Sequence, residues 1–303
     1  MNESPLHHHL PLRTALLALL AGSMILAGCG QSMDAITDDD AVMESSDSIV
    51  GGTEARPDYY PWMASVQVGS STSTTRHVCG ASFIDAQWLV TAAHCLGVCD
   101  KTTCVPWSTS VLRIRAGSHY SNSGGALLTV AQLFPHPGFD PGTIDNDIGL
   151  IKLTSPVQPP PGAYPIDLPK YGEMPLSGTM GTVVGWGAMS EEPMILPDAL
   201  LRLEAPIISD STCQRFYGTS APVNLSHMFC AGYPEGGKDP CWGDSGGPFF
   251  LGDPAWEEPS DGHELLLGIV SWGEGCARSR KPGVYTRVSS YVNWINGTRA
   301  GNP

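Results

Sequence analysis

Three short segments hold side chains whose types and order suit nucleophilic chemistry: His94 in "TAAHC", Asp147 in "DNDIGLIKL" and Ser245 in "GDSGGP". Each alone has an ordinary reading. A histidine beside Cys95 is more often a core residue, an aspartate before an apolar run caps a strand, and a Gly-rich run makes a tight turn. A serine hydroxyl is a weak nucleophile at neutral pH and needs a base to take its proton. The three motifs together, in this order and with these neighbours, are hard to ascribe to chance. A further oddity is "ESSDSIVGG", residues 44–52, where an acidic, serine-rich run gives way to Ile49-Val50-Gly51-Gly52. Ile49 either starts a strand or is a chain terminus to be freed by cutting after Ser48, and the residues around it leave both readings open.

Side chains so far apart in sequence need a fold to bring them together. Of 303 residues, 35 are glycine and 26 proline, 42% are hydrophobic and 15% charged, which favours short strands and many turns over long helices. The runs "WMASVQV", "ASFIDAQWLVTAA", "VLRIRAG", "ALLTVAQLF", "IGLIKL", "GTVVGWG", "LLLGIVSWG" and "GVYTRV" read as strands. Only the tail, residues 289–295, reads as helix. Ser289 or Ser290 is its expected cap, Tyr291, Trp294 and Ile295 share a face, and Asn296-Gly297 is its expected stop. This pattern predicts an all-β chain. The residues after Ser48 are too many for one small barrel, so two are expected, dividing near "VQPPPGAYP": one over about 49–160, another over about 161–290, then the helix over about 289–297.

The N-terminal part reads differently. Arg13 precedes an apolar run, residues 15–28, that is shorter than the roughly 20 residues a membrane-spanning helix needs. It reads as a signal peptide over residues 1–28. Its end, Leu26-Ala27-Gly28-Cys29, resembles the lipobox of bacterial lipoproteins, which implies cutting before Cys29 and a lipid on its sulfur. A plain signal peptide with a chance cysteine is the alternative. Nine cysteines are an odd number for an exported chain; without Cys29, eight remain to pair. Residues 29–48 carry six carboxylates and no Lys or Arg, as expected of a disordered propeptide or tether. The globular part is expected over 49–303. A net charge of −14 argues against nucleic acid as a partner, since phosphate binding needs clustered cations.

From Ile49 to about Ile295 the chain resembles the chymotrypsin-fold serine proteases, most closely trypsin. The resemblance implies two six-stranded antiparallel β-barrels with a short C-terminal helix. It implies Ser245 as nucleophile, His94 as base and then acid, and Asp147 as the group that fixes the imidazole. The N–H groups of Gly243 and Ser245 would form an oxyanion hole. The amino group freed at Ile49 would dock beside Asp244, so the uncut chain would be a zymogen. Because Ser48 is not basic, a separate activating protease is expected.

By the same resemblance Asp239 is the floor of a specificity pocket. Ser271, Trp272, Gly273 and Gly283 form its walls, with the backbone from Ser271 to Gly273 pairing with extended substrate. Substrates are then proteins or peptides with Arg or Lys before the scissile bond. Pro240 stands where serine is usual and removes a hydroxyl that a lysine ammonium would use, so Arg is expected over Lys. Trp242 stands at the pocket entrance. Two other readings remain: the same enzyme with non-tryptic specificity because of Pro240 and Trp242, or a non-catalytic binding module.

The resemblance also implies disulfides Cys79–Cys95, Cys213–Cys230 and Cys241–Cys276. Cys99 and Cys104 are left in an insertion after His94 and are expected to pair, a metal site being the alternative. Gly181 and Leu251 stand where a further family disulfide would be. Residues 117–130, which match trypsin's calcium loop, contain no Asp or Glu, so no calcium requirement is expected there. No cofactor and no metal are implied. The acidic insertion at 252–264 is expected to be a solvated loop, and the sequons at Asn224 and Asn296 to be unused. The chain is expected to be a monomer, exported, tied to a membrane only through Cys29 and released by the cut at Ser48.

Overall fold

The computed structural model describes residues 49–69, 74–157, 165–219, 221, 223–252 and 264–303. The expected leader, Cys29, the acidic tether, most of the proline-rich divide and residues 253–263 of the acidic insertion lie outside the described residues. The insertion's last residue, Glu264, is buried, so the expectation of a wholly solvated loop fails there.

The first half of the chain forms β1 (Thr53–Glu54), β2 (Met63–Val68), β3 (Arg76–Phe83), β4 (Trp88–Thr91), β5 (Gly97–Cys99), β6 (Cys104–Pro106), β7 (Leu112–Ala116), β8 (Ala126–Pro135) and β9 (Gly149–Leu153). Six of these close an antiparallel barrel in the order β2-β3-β4-β9-β8-β7. The run 81–93 is two strands, because Asp85 accepts the N–H groups of Gln87 (2.7 Å) and Trp88 (2.8 Å) and turns the chain between β3 and β4. The strands β5 and β6 form a separate hairpin joined by Cys99–Cys104.

The second half forms β10 (Met180–Gly185), β11 (Leu201–Ile208), α1 (Asp210–Tyr217), β12 (Met228–Ala231), β13 (Pro248–Leu251), β14 (Leu265–Trp272), β15 (Gly283–Arg287) and α2 (Val292–Ala300). The order β11-β10-β13-β14-β15-β12 closes back on β11, while β1 pairs outside on β11. Stacked Phe229 and Tyr285 (5.3 Å) and the Phe249 ring fill this barrel. Phe249 occupies the space beside Gly181, where even a Cβ would collide with its ring. Aromatic packing stands where the sequence lacks the family's further disulfide. The barrels share one apolar cluster, with Trp62 and Phe250 edge to face at 4.8 Å.

Two helical expectations need correction. The helix α1 was not expected at all; Ser209 caps it, accepting the Thr212 N–H, and Gly218 ends it with a positive φ. The tail helix starts later and ends later than expected. Residues 288–290 form a 3-10 turn in which Ser290 bonds the Ser226 carbonyl (2.8 Å) and caps nothing. The helix then runs through Asn296-Gly297 to Ala300. A mid-helix glycine costs about 1 kcal/mol. Against that, Arg299 pairs with Asp85, and Lys152 Nζ donates to the Asn302 carbonyl (3.0 Å), both holding the tail on the first barrel. Among the described residues no helix is long and apolar enough to cross a membrane.

Candidate active site

His94 sits on the 3-10 turn Ala93–Leu96 directly after β4, and Asp147 precedes β9, the neighbour of β4 in the barrel. Strand pairing therefore brings the two together. Asp147 is fully buried. One carboxylate oxygen accepts the His94 N–H (2.9 Å) and the other meets His94 Nδ1 (2.8 Å). Burial works against a charged imidazole, but the Asp147 charge and hydrogen bond overcome it, and the His94 pKa is raised. With Nδ1–H given to Asp147, Nε2 is left with a lone pair able to accept a proton.

The second barrel adds to this pair. Ser271 Oγ donates to Asp147 Oδ2 (2.6 Å) and Thr286 Oγ1 to the Asp147 carbonyl (2.6 Å). Ser271 reaches across because β14 bulges there: Val270 pairs with Tyr285 and Trp272 with Val284, leaving Ser271 as the extra residue. The sequence placed Ser271 only as a backbone wall.

Ser245 is half-buried on the turn before β13. Its carbonyl accepts the Gly80 N–H (2.8 Å), and a Cβ on the next residue, Gly246, would come within 3.1 Å of Cys95 Sγ. The Ser245 turn thus rests on β3 and on the Cys79–Cys95 disulfide next to His94. The Ser245 hydroxyl forms no hydrogen bond to His94 among the described residues; such bonds commonly tighten only with substrate bound. The N–H groups of Gly243 and Ser245 likewise donate to no acceptor among the described residues, whereas those of Asp244, Gly246 and Gly247 are used. Gly243 has φ +103°, a conformation only glycine adopts without strain.

One contributor has no motif. His77 Nε2 lies 2.9 Å from the Gly243 carbonyl and its Nδ1 2.8 Å from Ser65 Oγ, which Gln67 Nε2 reaches at 3.2 Å. A carbonyl only accepts, so Nε2 carries the proton and Ser65 donates to Nδ1. Burial pushes the His77 pKa down to about 4 against the pull of the Gly243 carbonyl, so the ring is neutral near pH 7. A bulge in β3 at Val78 sets the register that pairs Gln67 with His77.

Asp244 is fully buried. Its oxygens accept the N–H groups of Gly187 (2.8 Å) and Cys241 (2.9 Å), and among the described residues no basic side chain pairs with it. Burial outweighs those bonds and pushes its pKa up to about 6. Ile49 is also fully buried, against Leu201 and Leu203, and has φ +59°. Asp239 is 3% exposed. Its Oδ2 accepts the Ala277 N–H (3.1 Å), while Oδ1 has no partner among the described residues. A Cβ at Gly283 would stand 3.1 Å from that Oδ1 and 3.2 Å from the equally unpartnered Tyr285 hydroxyl. Burial raises the Asp239 pKa to about 7 despite the nearby amides of Ala277 and Gly283. Pro240 is buried beside it, Gly273 is exposed, Trp272 packs edge-on against Tyr217 (5.0 Å), and Trp242 is 58% exposed. All four cysteine pairs are joined as expected: 79–95, 99–104, 213–230 and 241–276.

Two closed barrels with a histidine–aspartate pair on one and a serine-bearing glycine turn on the other define the class of chymotrypsin-fold serine peptidases. The family model described as Trypsin matches residues 49–295. Cationic trypsin-3 of Rattus norvegicus is 38% identical over 283 residues, 92% of this chain and 98% of its own. Trypsin of Sus scrofa is 38% identical over 269 residues, 88% of this chain and 99% of its own. Serine protease 56 of Homo sapiens is 38% identical over 250 residues, 82% of this chain but only 38% of its own length. The chain belongs to the trypsin family and is a serine-type endopeptidase, acting on proteins or peptides.

Proposed function

We propose that the enzyme cuts after Arg, and less well after Lys, and that it is made as a zymogen activated between Ser48 and Ile49. Ser245 attacks the scissile carbonyl while His94 Nε2 takes its proton. The imidazolium, held by Asp147, then protonates the leaving amine. The free N–H groups of Gly243 and Ser245 receive the oxyanion; losing one such donor typically costs about 3–4 kcal/mol.

The specificity reading rests on one observation: the buried, unpartnered Oδ1 of Asp239 in the space Gly283 leaves open. A guanidinium there would satisfy it with a charge-assisted bond. Pro240 supplies no hydroxyl for the more compact lysine ammonium. Matched tripeptide anilides ending in Arg, Lys and Leu test this. Arg above Lys, with Leu negligible, is expected; efficient cleavage after Leu, or Lys equal to Arg, would overturn it. Labelling of Ser245 by a fluorophosphonate separates an enzyme from a binding module.

The zymogen reading rests on Asp244. A carboxyl moved from 3.8 to about 6 disfavours the ionised buried form by on the order of 3 kcal/mol. The sign follows: in the uncut chain this group's contribution to stability falls as pH rises from 3.8 to 6 and stays low at neutrality. A freed Ile49 ammonium would supply the missing cation and hold Gly243 towards the oxyanion. The cut would also release a β-branched residue from a left-handed backbone conformation, which such residues strongly disfavour. Ser48 before the cut implies a separate activating protease. Four disulfides fit an exported enzyme, with a lipid on Cys29 as its anchor before activation. N-terminal sequencing of the active, released form should begin at Ile49; mature enzyme retained in the membrane would count against release.

A further inference from the structure

Residues 187–197 and 274–281 are far apart in sequence and meet beside the pocket. Glu191 Oε2 accepts from Arg278 Nε (2.9 Å) and from the Cys276 N–H (3.4 Å), and Oε1 pairs with Arg278 Nη2. The next residue after Cys276 faces the other way. The Ala277 N–H donates to Asp239 Oδ2 (3.1 Å) and its carbonyl accepts the Gly237 N–H (2.8 Å). Adjacent amides of one wall segment are thus shared between Glu191 outside and Asp239 inside.

That segment is not in a restful conformation. Ala277 has φ +56° and Gly275 φ +77°. A left-handed alanine is strained and persists only where contacts over-determine it. Arg278 folds back over Gly275, where a Cβ would stand 2.7 Å from its Cδ. The same turn is closed by Lys281 on Glu274 (2.6 Å) and on the inner side by the Cys241–Cys276 disulfide. Glu191 is the tie from outside the turn. Arg278 holds its carboxyl below the usual range, so the tie stays charged well into mildly acid solution.

We propose that Glu191 is a positioning residue for the arginine pocket: through Cys276 and Arg278 it holds the wall so that the Ala277 amide faces Asp239 and leaves Oδ1 free for substrate. This rests on the reading of Asp239 as an arginine-binding carboxylate. Glu191 touches no substrate and acts on binding, not on the reacting atoms.

The test compares wild type with E191Q and with the charge-swapped pair E191R/R278E, after activation. The readouts are benzamidine inhibition, KM and kcat on an arginine anilide, and the rate of fluorophosphonate labelling, which needs no cation in the pocket. E191Q should raise the benzamidine inhibition constant and KM together by about three- to tenfold, with kcat and labelling within about twofold; the swap restores the ion pair but leaves the Cys276 N–H without its acceptor, so it should recover only part of the loss. An unchanged inhibition constant in E191Q would overturn the proposal. So would a parallel fall in labelling, which marks general loosening of the loops. If wild type itself fails to bind benzamidine, the arginine-pocket reading fails and this inference falls with it.

Discussion

The first-barrel half of the site hangs on strands, whereas the second-barrel half hangs on turns. His94 and Asp147 lie at the ends of paired strands, and their geometry is fixed by two direct bonds plus two donated by Ser271 and Thr286. The segment carrying Asp239, Asp244 and Ser245 is irregular backbone with left-handed residues at Gly236, Gly237, Gly243 and Gly246. It also contains two buried carboxyls whose pKa values burial raises to about 7 and about 6. The strand-borne half is satisfied by the chain itself. The turn-borne half leaves two buried carboxyls without a cation among the described residues; on the proposed reading a substrate cation serves Asp239 and a freed ammonium serves Asp244. The proton-handling pair should therefore be formed early and the anion hole and pocket only on activation.

The largest expected effects break both halves together. Ser245→Ala and His94→Ala should each lower kcat by roughly 10⁴–10⁶-fold in activated enzyme, read by progress curves, with the double variant little worse than either. His77→Phe separates the halves. Without its bond the Gly243 carbonyl is unpinned, so kcat should fall about 10–100-fold, while the His94 titration followed by NMR stays in place. A shift of the His94 titration would mean that the halves are coupled through more than the Ser271 and Thr286 bonds to Asp147. A pH series sharpens the comparison within the turn-borne half. Benzamidine binding to a His94→Ala background needs ionised Asp239, so its affinity should fall about tenfold per pH unit below about 7. A profile flat to pH 5 would remove Asp239 from the pocket floor. Ser271→Ala, which takes one donor from Asp147 and leaves the rest, should cost about tenfold or less in kcat.

Much of this was legible because the sequence signals were local. The motifs around His94, Asp147 and Ser245 read from short segments; the pairings 79–95, 213–230 and 241–276 follow from the family resemblance those motifs carry and are present in the structure, and Asp239 and Gly283 rest on the same resemblance as proposed pocket residues. What escaped depends on register and on contacts between barrels. His77 sits in "RHVCG", which has no catalytic signature; its role needs the bulge at Val78 and the reach to Gly243. Ser271 was legible as a wall, but its hydroxyl contact with Asp147 depends on a bulge in β14. The helix α1 is short, and its Ser209 cap and Gly218 stop lie among residues that equally suit turns. The tail helix overran Asn296-Gly297 because contacts with the first barrel outweigh a local propensity.

The most direct measurement is turnover of an arginine anilide by full-length precursor, blocked from cutting at Ser48, beside the same protein cut at that bond. Loss of a formed anion hole predicts that the uncut form turns over at least about 10²–10³-fold more slowly, with His94 titrating alike in both. Equal turnover before and after the cut would contradict the account.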